Sequence, residues 1–227
     1  AALAAIGVAS APSPPTVLRV VLDPGHGGSD PGAIGNGLQE KDLNLEVALR
    51  LRDLLDADTA DAAGGAAWEV LLTRDGDQSV SLASRVALAN AWPADRFLSI
   101  HHNGFSSSSA NGTETFSFAN GTVGADLRDL AQEELLLALG LTDRGTKTAN
   151  FFVLSQTAMP AALTEAGFMT NPGDMAVIGN DAGLQAEAEA LLFALQRHVG
   201  AAPYLPGPSS GTYCEAKLNS AGCLPAI

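Results

Sequence analysis

Val17-Leu18-Arg19-Val20-Val21-Leu22-Asp23-Pro24-Gly25-His26-Gly27-Gly28 is a short apolar run that stops at a Pro/Gly turn and then presents a histidine. Val17, Leu18, Val20, Val21 and Leu22 read as a buried strand, and Pro24 and Gly25 mark its end, so His26 falls just past the carboxyl end of that strand. The device recurs twice: Arg96-Phe97-Leu98-Ser99-Ile100-His101 delivers a second histidine, and Ala162-Leu163-Thr164-Glu165 delivers a carboxylate. Open α/β sheets bind ligands in the crevice at that edge, so three side chains carried there can converge. Strands are expected at Val17–Leu22, Trp68–Thr73, Arg96–His101, Thr113–Phe118, Phe151–Leu154 and Ala161–Ala166, alternating with helices over Asp42–Leu55, Ser81–Ala91, Ala125–Leu139 and Asp181–Val199. That alternation predicts an α/β fold.

Glu40 joins the set from the start of a helical segment in which Leu43, Val47, Leu51, Leu54 and Leu55 recur at helical spacing. At a helix amino end the dipole keeps a carboxylate ionised, as a metal ligand must be. Two imidazoles and one carboxylate, with a fourth position left to water, form a recurring catalytic zinc pattern, and a second carboxylate can then manage the proton. Taken singly, each residue has a structural reading. A histidine after a strand is more often a polar loop residue, and Glu40 alone would be a helix-terminal carboxylate acting on the dipole. Glu165 lies among small and apolar neighbours, where a buried carboxylate needs a partner. A metal site supplies one, and so would a salt bridge to Arg74, Arg85 or Arg144. Consecutive strand residues face opposite ways, so only one of His101 and His102 can meet the metal; a structural place on the other side suits His102. His198, near the end of the last helix, suits a capping or surface role. For Glu114, a solvated strand face and a place lining the site are both open.

Six pieces in order resemble the zinc-dependent N-acetylmuramoyl-L-alanine amidases of the type 3 class, which cleave bacterial peptidoglycan. They are Leu22-Asp23-Pro24-Gly25-His26-Gly27-Gly28, Glu40-Lys41-Asp42-Leu43-Asn44-Leu45, Leu72-Thr73-Arg74, Ser99-Ile100-His101-His102-Asn103, Arg144-Gly145 with Asn150-Phe151, and Glu165-Ala166-Gly167-Phe168-Met169-Thr170-Asn171. The resemblance spans residues 17–200 and implies a three-layer α/β/α domain with a mixed, mostly parallel sheet of about six strands. It implies that His26, Glu40 and His101 hold one zinc ion, that Glu165 is the catalytic carboxylate, and that His101 rather than His102 is the ligand. The reaction it implies is hydrolysis of the amide between N-acetylmuramic acid and L-alanine. The ligand set alone also fits a zinc metallopeptidase or amidohydrolase acting on another wall peptide bond. Asn103, Arg144 and Asn150 are expected to bind substrate, Arg144 through a bidentate fork on a stem-peptide carboxylate.

The 227 residues, 46% hydrophobic, are enough for one full core, and the net charge of -13 argues against a nucleic-acid partner. It also disfavours a polybasic grip on anionic wall polymers. Residues 1–15, rich in Ala, Ser and Pro, read as a linker or mature amino-terminal extension, residues 16–202 as the catalytic domain, and residues 203–227 as a tail. In that tail Cys214 and Cys223 are expected to form a disulfide, which suits export to an oxidising periplasmic or cell-wall setting. No stretch is long enough to span a membrane, and residues 1–15 lack the charged start of a signal peptide. Peptidoglycan is the expected partner of a monomer, with room left for an activator protein. The short connection between Phe118 and Leu127 leaves no space for an inserted helix over the zinc, so an unobstructed site is expected.

Overall fold

The computed structural model describes residues 17–61 and 65–206. The elements run β1 (Val17–Pro24), a small hairpin of β2 (Ile34–Gly35) and β3 (Leu38–Gln39), α1 (Glu40–Ala60), β4 (Ala67–Leu72), α2 (Leu82–Ala91), β5 (Arg96–Asn103) and β6 (Thr113–Ser117). They continue with α3 (Val123–Leu139), β7 (Asp143–Thr148), α4 (Phe152–Ser155), β8 (Ala161–Phe168), α5 (Pro172–Ile178) and α6 (Asp181–His198). Six strands form one sheet in the order β4-β1-β5-β8-β6-β7. The first four are mutually parallel; β6 runs antiparallel to β8 and parallel to β7. The sheet is therefore mixed and mostly parallel, with helices on both faces.

Alternation along the strands sorts the core into two layers, as a period of two requires. Val20 and Leu22 of β1, Leu98 and Ile100 of β5 and Ala162 and Ala166 of β8 face α1, α3 and α6, with Leu51, Leu135 and Leu191 among the fully buried partners. Val21, Phe97 and Leu163 face the other way, against Val86 and Ala89 of α2 and Val153 and Leu154 of α4. Ser81, Thr122 and Asn180 cap α2, α3 and α6, each side chain accepting a bond from an amide in the first turn. Arg96 donates to His198 Nδ1 over 2.7 Å and His198 Nε2 lies 2.9 Å from the Val123 carbonyl, so His198 ties α6 to β5 and the start of α3.

Elements α4, β7 and α5 and the β2–β3 hairpin differ from the sequence expectation. Residues 151–154, expected as a strand, are the amino cap and the single turn of α4, in which Val153 and Leu154 both turn inward. A four-residue apolar run fits either state, and here burial on one side of a turn prevails. The sixth strand is instead β7, Asp143-Arg144-Gly145-Thr146-Lys147-Thr148, whose polar side chains suit an exposed edge and leave no apolar pattern to read. Helix α5 was also not expected, although Asn171, which accepts from the Gly173 and Asp174 amides, and Pro172 behind it form a recognisable helix start. Beyond α6, the Gln196 side chain pairs with the backbone of Tyr204, 2.7 Å and 2.8 Å. The expected extension at residues 1–15 and the expected Cys214–Cys223 bridge lie outside the described residues.

Under the end of β1 lies a buried polar knot. Asp23, 1% exposed, accepts from Thr73 at 2.6 Å, Ser99 at 2.7 Å and Arg85 at 2.8 Å. Removing one partner of a buried ion pair leaves the other charge uncompensated, so Arg85→Met is expected to cost about 3–5 kcal/mol in urea unfolding. A loss below about 1 kcal/mol would show that the knot does not hold this corner of the sheet.

Candidate metal centre

His26 sits in the loop that leaves β1 and has a φ of 59°, the left-handed region that a residue with a side chain rarely adopts. The surrounding bonds hold it there. Arg85 donates to the Pro24 carbonyl at 2.7 Å and to that of His26 at 2.6 Å, while Arg74 donates to Pro24 at 2.9 Å and Gly25 at 2.8 Å. Gly25 must lack a side chain, because a Cβ there would lie 2.0 Å from His101 Cε1. The loop thus presses against the ring that β5 brings to the same edge, and the two imidazoles meet edge-on, with centroids 5.0 Å apart.

Glu40 is the first residue of α1 and reaches over the sheet edge. Its Oε2 accepts from the Ala33 amide at 2.8 Å; its Oε1 lies 3.1 Å from His26 Nε2 and 2.9 Å from His101 Nδ1. One donor atom from each of the three residues falls within 4.8 Å of the others, a spacing at which they can hold a metal ion. Asp30 Oδ2 lies 2.8 Å from His26 Nδ1, so that nitrogen carries its hydrogen toward Asp30 and Nε2 is left to the cluster. Two imidazole nitrogens and a carboxylate oxygen, with the His26 tautomer fixed and a second carboxylate alongside, fit zinc.

That second carboxylate is Glu165, the direct neighbour of His101 across β5 and β8. The residue is half-buried, and its Oε2, which is itself buried, has no hydrogen-bond partner among the described residues. The salt bridge that the sequence left open does not form: Arg74 and Arg85 hold the His26 loop, and Arg144 donates to Glu114 at 2.7 Å. Burial drives the Glu165 pKa well above the ordinary carboxylate range, and the charges of Glu40 and Glu114 add to it. Glu40 is displaced oppositely; burial opposes its ionisation, but bonds to His101 and His26 outweigh burial and hold it far below the usual range. The His26 pKa is raised to about 8, chiefly by its bond to Glu40, against the opposing effect of burial and with Asp30 assisting.

The structure therefore brings His26, Glu40, His101 and Glu165 together. Asn103 and Arg144 meet elsewhere, on Glu114: Asn103 donates to Oε1 at 2.8 Å, Arg144 and Lys147 both pair with Oε2, and the Arg144 guanidinium lies 4.7 Å over the Phe168 ring. Glu114 is 6% exposed and stands opposite Glu165 across β6 and β8, so it supports the site rather than facing solvent. Asn150 is exposed just ahead of α4. His102 turns to the opposite face, as strand alternation requires. A groove of about 760 Å³ opens on the cluster, with His26, His101 and Glu165 on its polar side and Val80, Leu82, Phe151 and Phe152 on an apolar side. Sequence reasoning did not single out Asp30, since a lone aspartate in a Gly-rich loop carries no spacing signal, nor the loop-holding roles of Arg74 and Arg85.

The raised His26 pKa makes the metal-free protein's stability depend on pH. Its contribution is fully present below the unfolded value of 6.5 and is lost as pH rises through about 8. Chelator-treated protein is expected to lose on the order of 1 kcal/mol across that window once solvent screening is allowed for, and His26→Ala is expected to flatten the profile. Urea midpoints measured along the pH series check this; an equal slope in the variant would remove the assignment to His26.

Residues 20–197 match the model of the amidase 3 family, described as N-acetylmuramoyl-L-alanine amidase. The chain is 44% identical over 173 residues to the N-acetylmuramoyl-L-alanine amidase CwlM of Bacillus licheniformis, covering 76% of this chain and 65% of that protein. It is 46% identical over 161 residues to the sporulation-specific N-acetylmuramoyl-L-alanine amidase of Bacillus subtilis, covering 70% of this chain and 59% of that one. It thus spans roughly three fifths of the length of each relative. Among solved structures, the catalytic domain of CwlV, an N-acetylmuramoyl-L-alanine amidase from Bacillus (Paenibacillus) polymyxa var. colistinus, superposes with a TM-score of 0.73 at 32% identity, over 81% of this chain and 98% of that domain. The match extends from β1 to the last turns of α6, and the elements that carry His26, Glu40, His101 and Glu165 all fall inside it; this chain belongs to the N-acetylmuramoyl-L-alanine amidase family.

Proposed function

We propose that this chain hydrolyses the amide between the lactyl group of N-acetylmuramic acid and L-alanine in bacterial peptidoglycan, using one zinc ion held by His26, Glu40 and His101. The observation that carries the reading is the buried oxygen of Glu165 beside that cluster, which has no hydrogen-bond partner among the described residues. Such an atom is costly unless a cation or a proton in transit completes it. When bound, zinc would lower the pKa of a water molecule toward neutrality and polarise the scissile carbonyl.

The remaining work belongs to the chain. Asp30 keeps His26 in the tautomer that presents Nε2. The Ala33 amide holds one oxygen of Glu40 so that the other faces the cluster. With a cation in place Glu165 would ionise, because a nearby positive charge opposes the burial that raises its pKa. It would then take the proton of the attacking water and hand it to the departing amine, which leaves poorly without one. The groove along Val80, Leu82, Phe151 and Phe152 offers an apolar flank for the substrate. A peptidoglycan substrate places the work outside the cytoplasm, in the periplasm or cell wall.

Glu165→Gln is expected to lower the rate of peptidoglycan release by about 10²–10⁴-fold while the protein retains bound zinc. Mass spectrometry of the soluble products then identifies the bond. Stem peptides with a free L-alanine amine, absent after chelation, are expected. Fragments cut within the peptide would reassign the chain to a metallopeptidase, and an unchanged rate in the variant would remove Glu165 from the chemistry.

A further inference from the structure

Behind Glu40, on the sheet face covered by α1 and α6, three side chains form an enclosed line of hydrogen bonds. Glu187 Oε2 of α6 lies 2.9 Å from His102 Nε2, and His102 Nδ1 lies 2.8 Å from Asn44 Oδ1. Asn44 Nδ2 then lies 3.1 Å from Glu40 Oε1 and 3.3 Å from the Gly25 carbonyl. Asn44 and Glu187 are 0% exposed and His102 is 1% exposed.

The direction of the line follows from donor counting. Asn44 Nδ2 faces two acceptors and must donate to both, which turns the Oδ1 acceptor toward His102. His102 Nδ1 must therefore carry a hydrogen, and Glu187 fixes the ring from its other side. Each member leaves its neighbour one orientation. The amide of Asn44 ends against the oxygen of Glu40 that faces His26 and His101, and it also holds the carbonyl of Gly25, the residue packed on the His101 ring. A reversed amide would set two acceptors against each other and turn that oxygen away.

Stability alone is a poor reason for this arrangement. Buried charged pairs contribute little compared with apolar groups of similar volume, and Glu187 Oε1 has no hydrogen-bond partner among the described residues. We propose that Glu187, His102 and Asn44 are positioning residues, a relay that aims Glu40 Oε1 at zinc and so lets α6 set metal affinity without supplying a ligand. The proposal rests on the reading of His26, Glu40 and His101 as the zinc ligands.

The test compares zinc affinity, measured by competition with a chromophoric chelator, with the melting temperature of the metal-free protein. The paired replacement His102→Leu with Glu187→Leu removes both polar partners together. It leaves the Asn44 Oδ1 acceptor without a donor, so the metal-free melting temperature is expected to fall while the protein stays folded, and zinc binding by the folded protein is expected to weaken by about 10–100-fold, the range seen when partners behind a ligand are lost. Glu187→Gln can still hydrogen-bond His102 Nε2, with its amide donating, and is expected to bind zinc within about threefold of the parent. A folded double variant that also binds within about threefold overturns the relay, as does a Glu187→Gln loss equal to that of the double variant. If the double variant does not fold, Asn44→Ala decides: about a tenfold or greater loss supports the relay and near-parental affinity overturns it. A parent that binds no zinc would overturn the ligand assignment itself, a result distinct from a parent and variants that all bind equally.

Discussion

The end of β1 has a bonding problem that shapes everything near it. Where the strand leaves the sheet, the carbonyls of Pro24, Gly25 and His26 point into protein rather than water, and a buried carbonyl without a partner costs free energy. Arg74 and Arg85 solve this with donors spread over a rigid plane, and Asp23 neutralises Arg85 from below. The same contacts keep His26 in its left-handed conformation and Gly25 against the His101 ring. The corner that terminates the strand and the corner that builds the site are therefore one set of bonds, and neither is available without the other.

A second constraint is electrostatic. Three carboxylates, Glu40, Glu114 and Glu165, share one sheet edge, and like charges this close disfavour one another. Each is treated differently. Glu40 is surrounded by imidazoles and stays ionised; Glu114 is matched by Arg144, Lys147 and Asn103; Glu165 receives no cation from the described residues. Arg144 and Asn103 read from the sequence as substrate contacts, and Arg144 keeps a third of its side chain exposed. Their observed work is to absorb the charge of Glu114, which leaves Glu165 as the carboxylate whose compensation must come from a bound cation or a proton.

The sequence made the centre of the sheet legible because its strands are apolar runs with abrupt ends, and His26, His101 and Glu165 stand at those ends. Glu40 was legible because it opens an apolar helix. The edge of the sheet was not: β7 is polar, with alternating exposure and no hydrophobic period, while residues 151–154 look like a strand until their neighbours turn them into a helical turn. Asp30 and Glu187 were illegible for another reason. Glu187 sits in Gln185-Ala186-Glu187-Ala188-Glu189, where nothing local distinguishes it from Glu189. Only the tertiary arrangement sends one inward to His102 while the other bonds Gln185 on its own helix.

His101 and His102 show how much depends on strand register. They are adjacent, so one faces the groove and the other faces α1 and α6, and both places are occupied by side chains that need an imidazole. A slip of one residue in β5 would place Ile100 at the cluster and His101 against Asn44. The core would object as well, since Phe97, Leu98 and Ile100 are fully buried on alternating faces. Apolar packing and polar complementarity thus select the same register independently. The pairing with β8 shifts between His101 and Asn103, so His101 and Glu165 are set by the regular ladder and the irregularity begins only at His102.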